Sequence, residues 1–128
     1  MMIILDTSVW IEFFKKNSEY FPTVTRLLED QIILAVECIF AELLQGAKNK
    51  RERGIIKIYW ENLPKTAQNG LWVEAGIYSS ENKLLSQGVG IIDTVILLAG
   101  RKNKAQIWSL DKKLNSILSE KEAYQMSS

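Results

Sequence analysis

The chain has 128 residues, of which 47% are hydrophobic and 24% charged, and we expect one ordinary globular domain over residues 1–128. One cysteine and no histidine exclude a disulfide framework and any Ser-His-Asp or Cys-His nucleophile pair, and disfavour zinc; the net charge of +1 selects no class of partner. No apolar run approaches the ~18 residues that span a bilayer, and the first run lacks the basic lead of a signal peptide, so we expect a cytoplasmic protein without membrane contact.

The first residues predict a buried strand that ends at a carboxylate. The apolar run Met1-Met2-Ile3-Ile4-Leu5 stops abruptly at Asp6-Thr7-Ser8. A continuous apolar strand is typical of a parallel sheet covered by helices, and ligands of such sheets bind outside the carboxyl ends of the strands. The ordinary explanation is that Asp6, Thr7 or Ser8 caps the helix that follows. The functional explanation is that Asp6 is part of a site at this edge.

Helical periods and short apolar runs alternate along the rest of the chain. Apolar spacing, Pro22 and Gly88 predict helices at 9–15, 22–30, 36–48, 51–62, 71–87 and 112–118, and another that contains Asp93 and ends near residue 100 or 101. Strands are expected at 32–35 and 106–108, with short ones in the connector 63–66 and the tail 123–126. This alternation predicts an α/β fold, a three-layer α/β/α sandwich with a central parallel sheet.

Three further acids stand out by their neighbours. Glu42 lies on a predicted helix near Cys38, Asp93 lies among the most apolar residues of the chain, and Asp111 closes a strand as Asp6 does. Each has an ordinary explanation. Asp93 suits a helix N-terminus, Asp111 suits a helix cap, and Glu42 suits the polar margin of an amphipathic helix.

Taken together, the four acids predict a metal site. The two that close parallel strands should meet at one edge of the sheet, and the two in apolar helices would be costly as isolated charges. Crowded carboxylates repel, and a divalent cation relieves the repulsion. An all-oxygen site favours Mg²⁺ or Mn²⁺, which polarise a phosphodiester and activate water. Cys38, in an apolar run, is expected to be a core residue.

The acidic segments resemble the motifs of PIN domains in order and spacing. They are Ile4-Leu5-Asp6-Thr7-Ser8, Phe40-Ala41-Glu42-Leu43, Ile92-Asp93-Thr94-Val95-Ile96-Leu97-Leu98-Ala99 and Ser109-Leu110-Asp111. The chain is most similar to the small VapC-type toxins of bacterial and archaeal toxin–antitoxin pairs, over about residues 3–118. The resemblance implies a parallel sheet flanked by helices, and Mg²⁺- or Mn²⁺-dependent cleavage of RNA by an endoribonuclease.

The resemblance also implies roles for individual residues. Ser109 matches a Thr or Ser that orients the pocket or a substrate phosphate, and Ser8 matches a small polar position that could contact substrate. The family further implies homodimers, and inhibition by a small antitoxin protein whose tail enters the pocket. The catalytic, metal-binding acids would be Asp6, Glu42, Asp93 and Asp111.

The last motif departs from the family pattern. That pattern commonly has two acids flanking one residue and then an aromatic, whereas here the stretch reads Asp111-Lys112-Lys113-Leu114. Lys113 stands where the second acid would be, which weakens the case for a second metal ion. Lys113 could instead contact an RNA phosphate.

Two rival functions follow from the same pattern. A receiver-type phosphoacceptor needs an acidic pair after the first strand and an Asp that closes a middle strand. Here Asp6 has no acidic neighbour and the run 32–35 is followed by Val36, so the sequence disfavours this class. A non-catalytic module of the same fold could bind RNA or a partner protein through the basic segment 48–57, and this alternative stays open.

The first helix carries unusual aromatic area in Trp10, Phe13 and Phe14. One short amphipathic face rarely needs this much, so we expect part of it to be exposed until a partner covers it. The sequence therefore predicts a homodimer, with an antitoxin segment docking near this helix.

Overall fold

The structure, a computed structural model, describes residues 1–126. Along these residues the chain forms two strands, β1 (Ile3–Leu5) and β2 (Gln106–Trp108), and a 3₁₀ turn at Leu85–Gln87. Helices alternate with these short extended segments, as the sequence predicts. The helices are α1 (Thr7–Phe14), α2 (Phe21–Glu29), α3 (Glu37–Gln45), α4 (Lys50–Asn62), α5 (Leu71–Glu81), α6 (Ile91–Asn103) and α7 (Lys112–Ile117).

The sheet is parallel and short. Strands β1 and β2 pair in parallel with Ile4 opposite Ile107, and both of these side chains are buried. Within residues 1–126 the sheet has two strands, so the three-layer sandwich stays a prediction. Single parallel bridges extend the pairing on both sides. They join Ile3 to Ile33, Ala35 to Lys65, and Ile107 to Ala123.

The expected strands at 32–35, 63–66 and 123–126 are therefore reduced to single bridges. Within the run 32–35, Ile33 bridges to Ile3 on one side and Ala35 bridges to Lys65 on the other, so neither pairing extends into a ladder. In the connector, Pro64 has no backbone N–H to donate, and its carbonyl accepts from Ala35 at 2.8 Å. Two backbone hydrogen bonds join the end of the chain to Ile107. The N–H of Tyr124 donates to the Ile107 carbonyl, and the N–H of Ile107 donates to the Glu122 carbonyl.

Three helices end at places that differ from those predicted. Helix α5 ends at Glu81, not residue 87, because Lys83 takes a left-handed φ of 54° that breaks the helix. Gly88, at φ 80°, then closes the 3₁₀ turn rather than α5. Helix α3 ends at Gln45, three residues early, and α6 continues to Asn103, past the expected end.

The aromatic residues of α1 form part of the core. Trp10 is 1% exposed and its ring lies 5.3 Å from that of Phe40 on α3 and 5.6 Å from that of Tyr59 on α4. Phe13 is also buried, and stacks on Phe21 at 5.1 Å. The prediction of an exposed aromatic surface on α1 is wrong for these two residues, because α3, α4 and the start of α2 cover them.

The carboxyl ends of β1 and β2 lie side by side. Asp6 directly follows β1, and its backbone N–H donates to the carbonyl of Trp108, the last residue of β2, at 3.1 Å. Ser109 directly follows Trp108. The residues that close the two strands are therefore brought together. No helix in the described part of the chain has the length and apolar character needed to cross a bilayer.

Candidate active site

Asp6 is held between the two strand ends by three donors. Its carboxylate accepts from the backbone N–H of Val9 at 3.2 Å and from the hydroxyls of Ser8 and Ser109. The side chain is 5% exposed. Asp6 therefore caps α1, as the ordinary explanation requires, and still lies at the sheet edge where a site would form.

Burial raises the pKa of the Asp6 carboxyl above its ordinary value, and the two hydroxyls and the backbone N–H oppose this rise. Donors of this kind favour the charged carboxylate, whereas removal from water favours the neutral acid. The balance makes Asp6 a carboxylate whose charge is costly, which is a property shared by many functional acids.

The two serines join the loops that follow the strands. The hydroxyl of Ser8 donates to Asp6 and accepts from the backbone N–H of Leu110 at 2.9 Å. The hydroxyl of Ser109 donates to Asp6 and accepts from the backbone N–H of Asp111 at 2.9 Å. Both predicted polar positions thus contact Asp6, and each fixes it to the loop after β2.

Glu42 is half-buried on α3 and is positioned by Thr7. The hydroxyl of Thr7 donates to a Glu42 carboxylate oxygen at 2.7 Å, across 35 positions of sequence. Sequence reasoning considered Thr7 only as a helix cap and missed this contact. Its place in the Asp-Thr-Ser run, beside Asp6, is the signal that could have suggested it.

The pKa of the Cys38 thiol is affected by burial and by nearby charges. Burial, and then the negative charges of Glu42 and Asp93, raise the pKa of this thiol to about 12. The thiol therefore stays protonated at neutral pH and is no nucleophile, in agreement with a core role. Glu42 lies one turn after Cys38 on α3, and the charges of Glu42 and Asp93 both disfavour the thiolate.

The pKa of Asp93 is raised by burial and by all three other members of the acidic group, which consists of Asp6, Glu42, Asp93 and Asp111. Asp93 is half-buried in the first turn of α6, whose N-cap is Gly90. Burial raises the pKa of its carboxyl, Asp111 raises it further, and Asp6 and Glu42 add smaller contributions, while the backbone N–H of Gly90 opposes them. All three of the other predicted acids thus repel a charge at this position.

Asp111 is exposed and caps α7. Its carboxylate accepts from the backbone N–H of Lys113 at 2.9 Å. The Lys113 side chain crosses to the turn that precedes α6, where its ammonium nitrogen is 3.6 Å from the position a Cβ would take at Gly88. Within residues 1–126, Lys113 has no ion-pair partner. A free ammonium group therefore lies at the turn that precedes α6.

The donor set can be compared with the needs of a hard cation. Among residues 1–126, no three Asp, Glu, Cys or His side chains converge closely enough to form a ready metal cage. The carboxylates of Asp6 and Glu42 instead accept hydroxyl donors. Mg²⁺ usually keeps several waters and binds only one or two carboxylates directly. The carboxylate oxygens present therefore fit it in chemistry, and the negative charges that act on Asp93 fit it in sign.

The PIN domain family matches the chain over residues 3–117. These bounds include the four acids, both strands and the serines that close the strands. No curated protein matches the sequence of the chain. Because the family match covers nearly the whole length, the chain belongs to the PIN domain family.

Proposed function

We propose that the chain is a Mg²⁺- or Mn²⁺-dependent endoribonuclease, and that it acts as the toxin of a toxin–antitoxin pair. PIN domains are generally nucleases and typically use divalent metals, which supports hydrolysis of a nucleic-acid phosphodiester. The observation that carries the proposal is the position of Asp6 between the carboxyl ends of β1 and β2, where the hydroxyls of Ser8 and Ser109 hold its carboxylate. The raised pKa of Asp93, caused by burial and by the charges of Asp111, Asp6 and Glu42, supports it. A cation is the simplest way to stabilise such a group.

Within this proposal the chain's residues have distinct tasks. When bound, the cation polarises the phosphodiester and supplies an activated water. Ser8 and Ser109 hold the Asp6 carboxylate in place, and Thr7 holds that of Glu42. The residues that would hold the cation, directly or through water, are Asp6, Glu42, Asp93 and Asp111.

Lys113 is proposed to bind substrate. Its ammonium group lies at the turn before α6 and is exposed, so it can reach a phosphate next to the acidic group. It would partly offset the repulsion between RNA and the carboxylates. Ser8 is a weaker substrate candidate, because its hydroxyl is already engaged with Asp6 and Leu110.

We further propose a homodimer that forms through α5 rather than α1. Trp72, Val73 and Ile77 on α5 are 42%, 69% and 55% exposed, and Val73 and Ile77 lie one turn apart, whereas the aromatic residues of α1 are largely buried. Exposed apolar residues grouped on one helix are typical of an interface. A second copy of the chain is the proposed occupant. The cognate antitoxin is the other proposed partner, on the strength of the VapC-type resemblance.

A non-catalytic RNA- or protein-binding module is the second candidate. The observation that favours it is the lack of a ready three-ligand cluster among the described residues. The two functions differ in one measurement. A module binds RNA equally well with or without metal and leaves it intact.

The test is the cleavage of a mixed single-stranded RNA pool by the purified chain in Mg²⁺, in Mn²⁺ and in EDTA. We expect products in either metal and none in EDTA, because the carboxylates alone cannot polarise the phosphodiester. RNA that binds in all three buffers and is never cut would support the module. Cleavage that persists in EDTA would contradict the metal-dependent mechanism.

A further inference from the structure

A cavity of about 470 Å³ opens at the carboxyl end of β2. Its walls include Trp108 and Ser109 at the end of β2, Asn115 on α7, and tail residues up to Met126. Ser109 belongs to both sites, because its hydroxyl donates to Asp6 while it also lines the cavity. The volume lies within the ~300–1,000 Å³ range of small-molecule sites.

Aromatic rings form one side of the cavity. Trp108 is 4% exposed and supports two half-exposed tyrosines, with ring centroids 6.2 Å away at Tyr20 and 5.1 Å away at Tyr124. Tyr124 is fixed at its backbone, where its N–H donates to the Ile107 carbonyl at 2.9 Å. Two ring surfaces are therefore held in place beside an open space.

The polar groups of the cavity are neutral or negative. Asn115 donates one side-chain N–H to the Ser109 carbonyl at 2.8 Å, which fixes the amide and leaves its second N–H and its carbonyl oxygen for a ligand. Among the described residues that line the cavity there is no Lys or Arg, and Glu120 adds a negative charge. Such a cavity disfavours phosphate and suits a flat, neutral ligand with a hydrogen-bonding edge.

We propose that this cavity binds one unpaired base of the RNA, from a nucleotide next to the cleaved phosphodiester. Proteins recognise single-stranded RNA by stacking unstacked bases on aromatic rings and hydrogen bonding their edges. A base on Tyr124 or Tyr20, with its edge at Asn115, would lie beside Ser109 and so position its phosphate near Asp6. The inference rests on the proposed RNA-cleaving function and names the feature of the substrate that this site would read.

The test measures binding to the full chain in EDTA, where no cleavage is expected, by fluorescence anisotropy. The probes are short single-stranded oligoribonucleotides and abasic oligomers with the same backbone. We expect the wild type to prefer the base-bearing RNA, and Tyr124→Ala to lose about 5- to 150-fold of that affinity, the usual effect of one aromatic–base stack. Tyr124→Phe keeps the ring and should bind as the wild type does.

Two controls separate the cavity from general effects. Ile58→Ala removes an exposed apolar side chain on α4, outside the cavity, and should leave RNA affinity unchanged. Asn115→Ala should reduce the difference in affinity between RNA homopolymers of different bases, while its thermal melt shows a folded chain. This variant tests the cavity if Tyr124→Ala fails to fold. Equal affinity of the wild type for base-bearing and abasic RNA would overturn the proposal, as would folded cavity variants that bind like the wild type.

The outcomes distinguish this inference from the proposed function. If the chain binds bases through the cavity but cleaves no RNA in Mg²⁺ or Mn²⁺, the nuclease proposal fails and the base site stands. If it cleaves RNA in metal and an abasic nucleotide at either side of the cut changes nothing, the nuclease stands and the base site is refuted.

Discussion

Replacing Asp93 with asparagine should stabilise the metal-free protein. The carboxyl of Asp93 is half-buried, and Asp111, Asp6 and Glu42 all raise its pKa together with burial. Asparagine keeps the shape and an oxygen that can accept from the Gly90 N–H, but it carries no charge. The variant therefore removes the repulsion while it retains the local contacts at the start of α6.

The size of the effect follows from exposure. A partly exposed pair of charges is worth about 0–1 kcal/mol after solvent screening, and the loss of a favourable helix-dipole contact costs about 0.3–1 kcal/mol. Three repulsions and the burial of the charge outweigh the single dipole contact, which leaves a net gain on the order of 1 kcal/mol. With an unfolding entropy of about 2.1 cal/mol/K per residue over 128 residues, the Tm rises by about 4 °C.

The pH dependence has a definite sign. The folded-state pKa of Asp93 lies above the ordinary value of 3.8, so the folded protein binds more protons than the unfolded chain between those two values. Its contribution to stability is therefore present at low pH and is lost as pH rises through the folded-state pKa. The Tm gap between Asp93→Asn and the wild type should be widest at neutral pH and narrower in a more acidic buffer, as the pH falls towards the folded-state pKa.

The assay is a set of thermal melts in EDTA and in Mg²⁺, at both pH values. Mg²⁺ should raise the Tm of the wild type more than that of the variant, because only the wild type has the full set of carboxylates. Glu37→Gln is the matched control, since Glu37 is an exposed first-turn acid on α3. It should not raise the Tm. A metal-free Asp93→Asn protein that melts below the wild type at neutral pH would refute the argument from repulsion.

Two further variants test the packing and the proposed dimer. Gly100→Ala should lower the Tm by about 4 °C, because the new Cβ would lie 2.8 Å from a methyl carbon of the buried Ile107. The cost of overpacking, about 1–3 kcal/mol, exceeds the gain of up to about 1 kcal/mol in helix propensity. Gly54→Ala is the control and should not destabilise the protein, because a Cβ at Gly54 would lie in open space. Trp72→Glu should yield a monomer in light scattering, whereas Ile58→Glu on the exposed face of α4 should not; a dimer that survives Trp72→Glu would contradict the α5 interface.

The elements with strong local patterns could be predicted from the sequence. The apolar runs of both strands and the helical spacing of α4 and α7 depend on residues close together in the chain. The observed bounds of these elements therefore lie close to the predicted ones. That the acids closing β1 and β2 meet at one edge was expected from the rule for parallel sheets, and the two strands prove to be direct neighbours. The resemblance implied that Ser109 orients the pocket and that Ser8 contacts substrate; in the structure both hydroxyls donate to the Asp6 carboxylate.

The remaining features depend on contacts between distant segments. The hydrogen bond from Thr7 to Glu42 and that from Asn115 to Ser109 arise only when separate helices and loops meet. The burial of Trp10 likewise depends on α3 and α4, which no local pattern in α1 reveals. The early end of α5 depends on the left-handed Lys83, a conformation that the sequence around it does not favour.

The most direct test of the central claim is the rate of RNA cleavage by Asp6→Asn and Asp93→Asn, measured in Mg²⁺ and Mn²⁺ beside the wild type. If the acids at the ends of β1 and β2 and at the start of α6 hold one catalytic cation, each variant should lose at least about 100-fold in rate, because loss of a metal ligand costs more than the 10- to 100-fold typical of its supporting residues. Glu37→Gln should cleave at the wild-type rate, and all variants must show a folded melt. An Asp6→Asn or Asp93→Asn protein that cleaves as fast as the wild type, with contaminating nuclease excluded, would contradict the account.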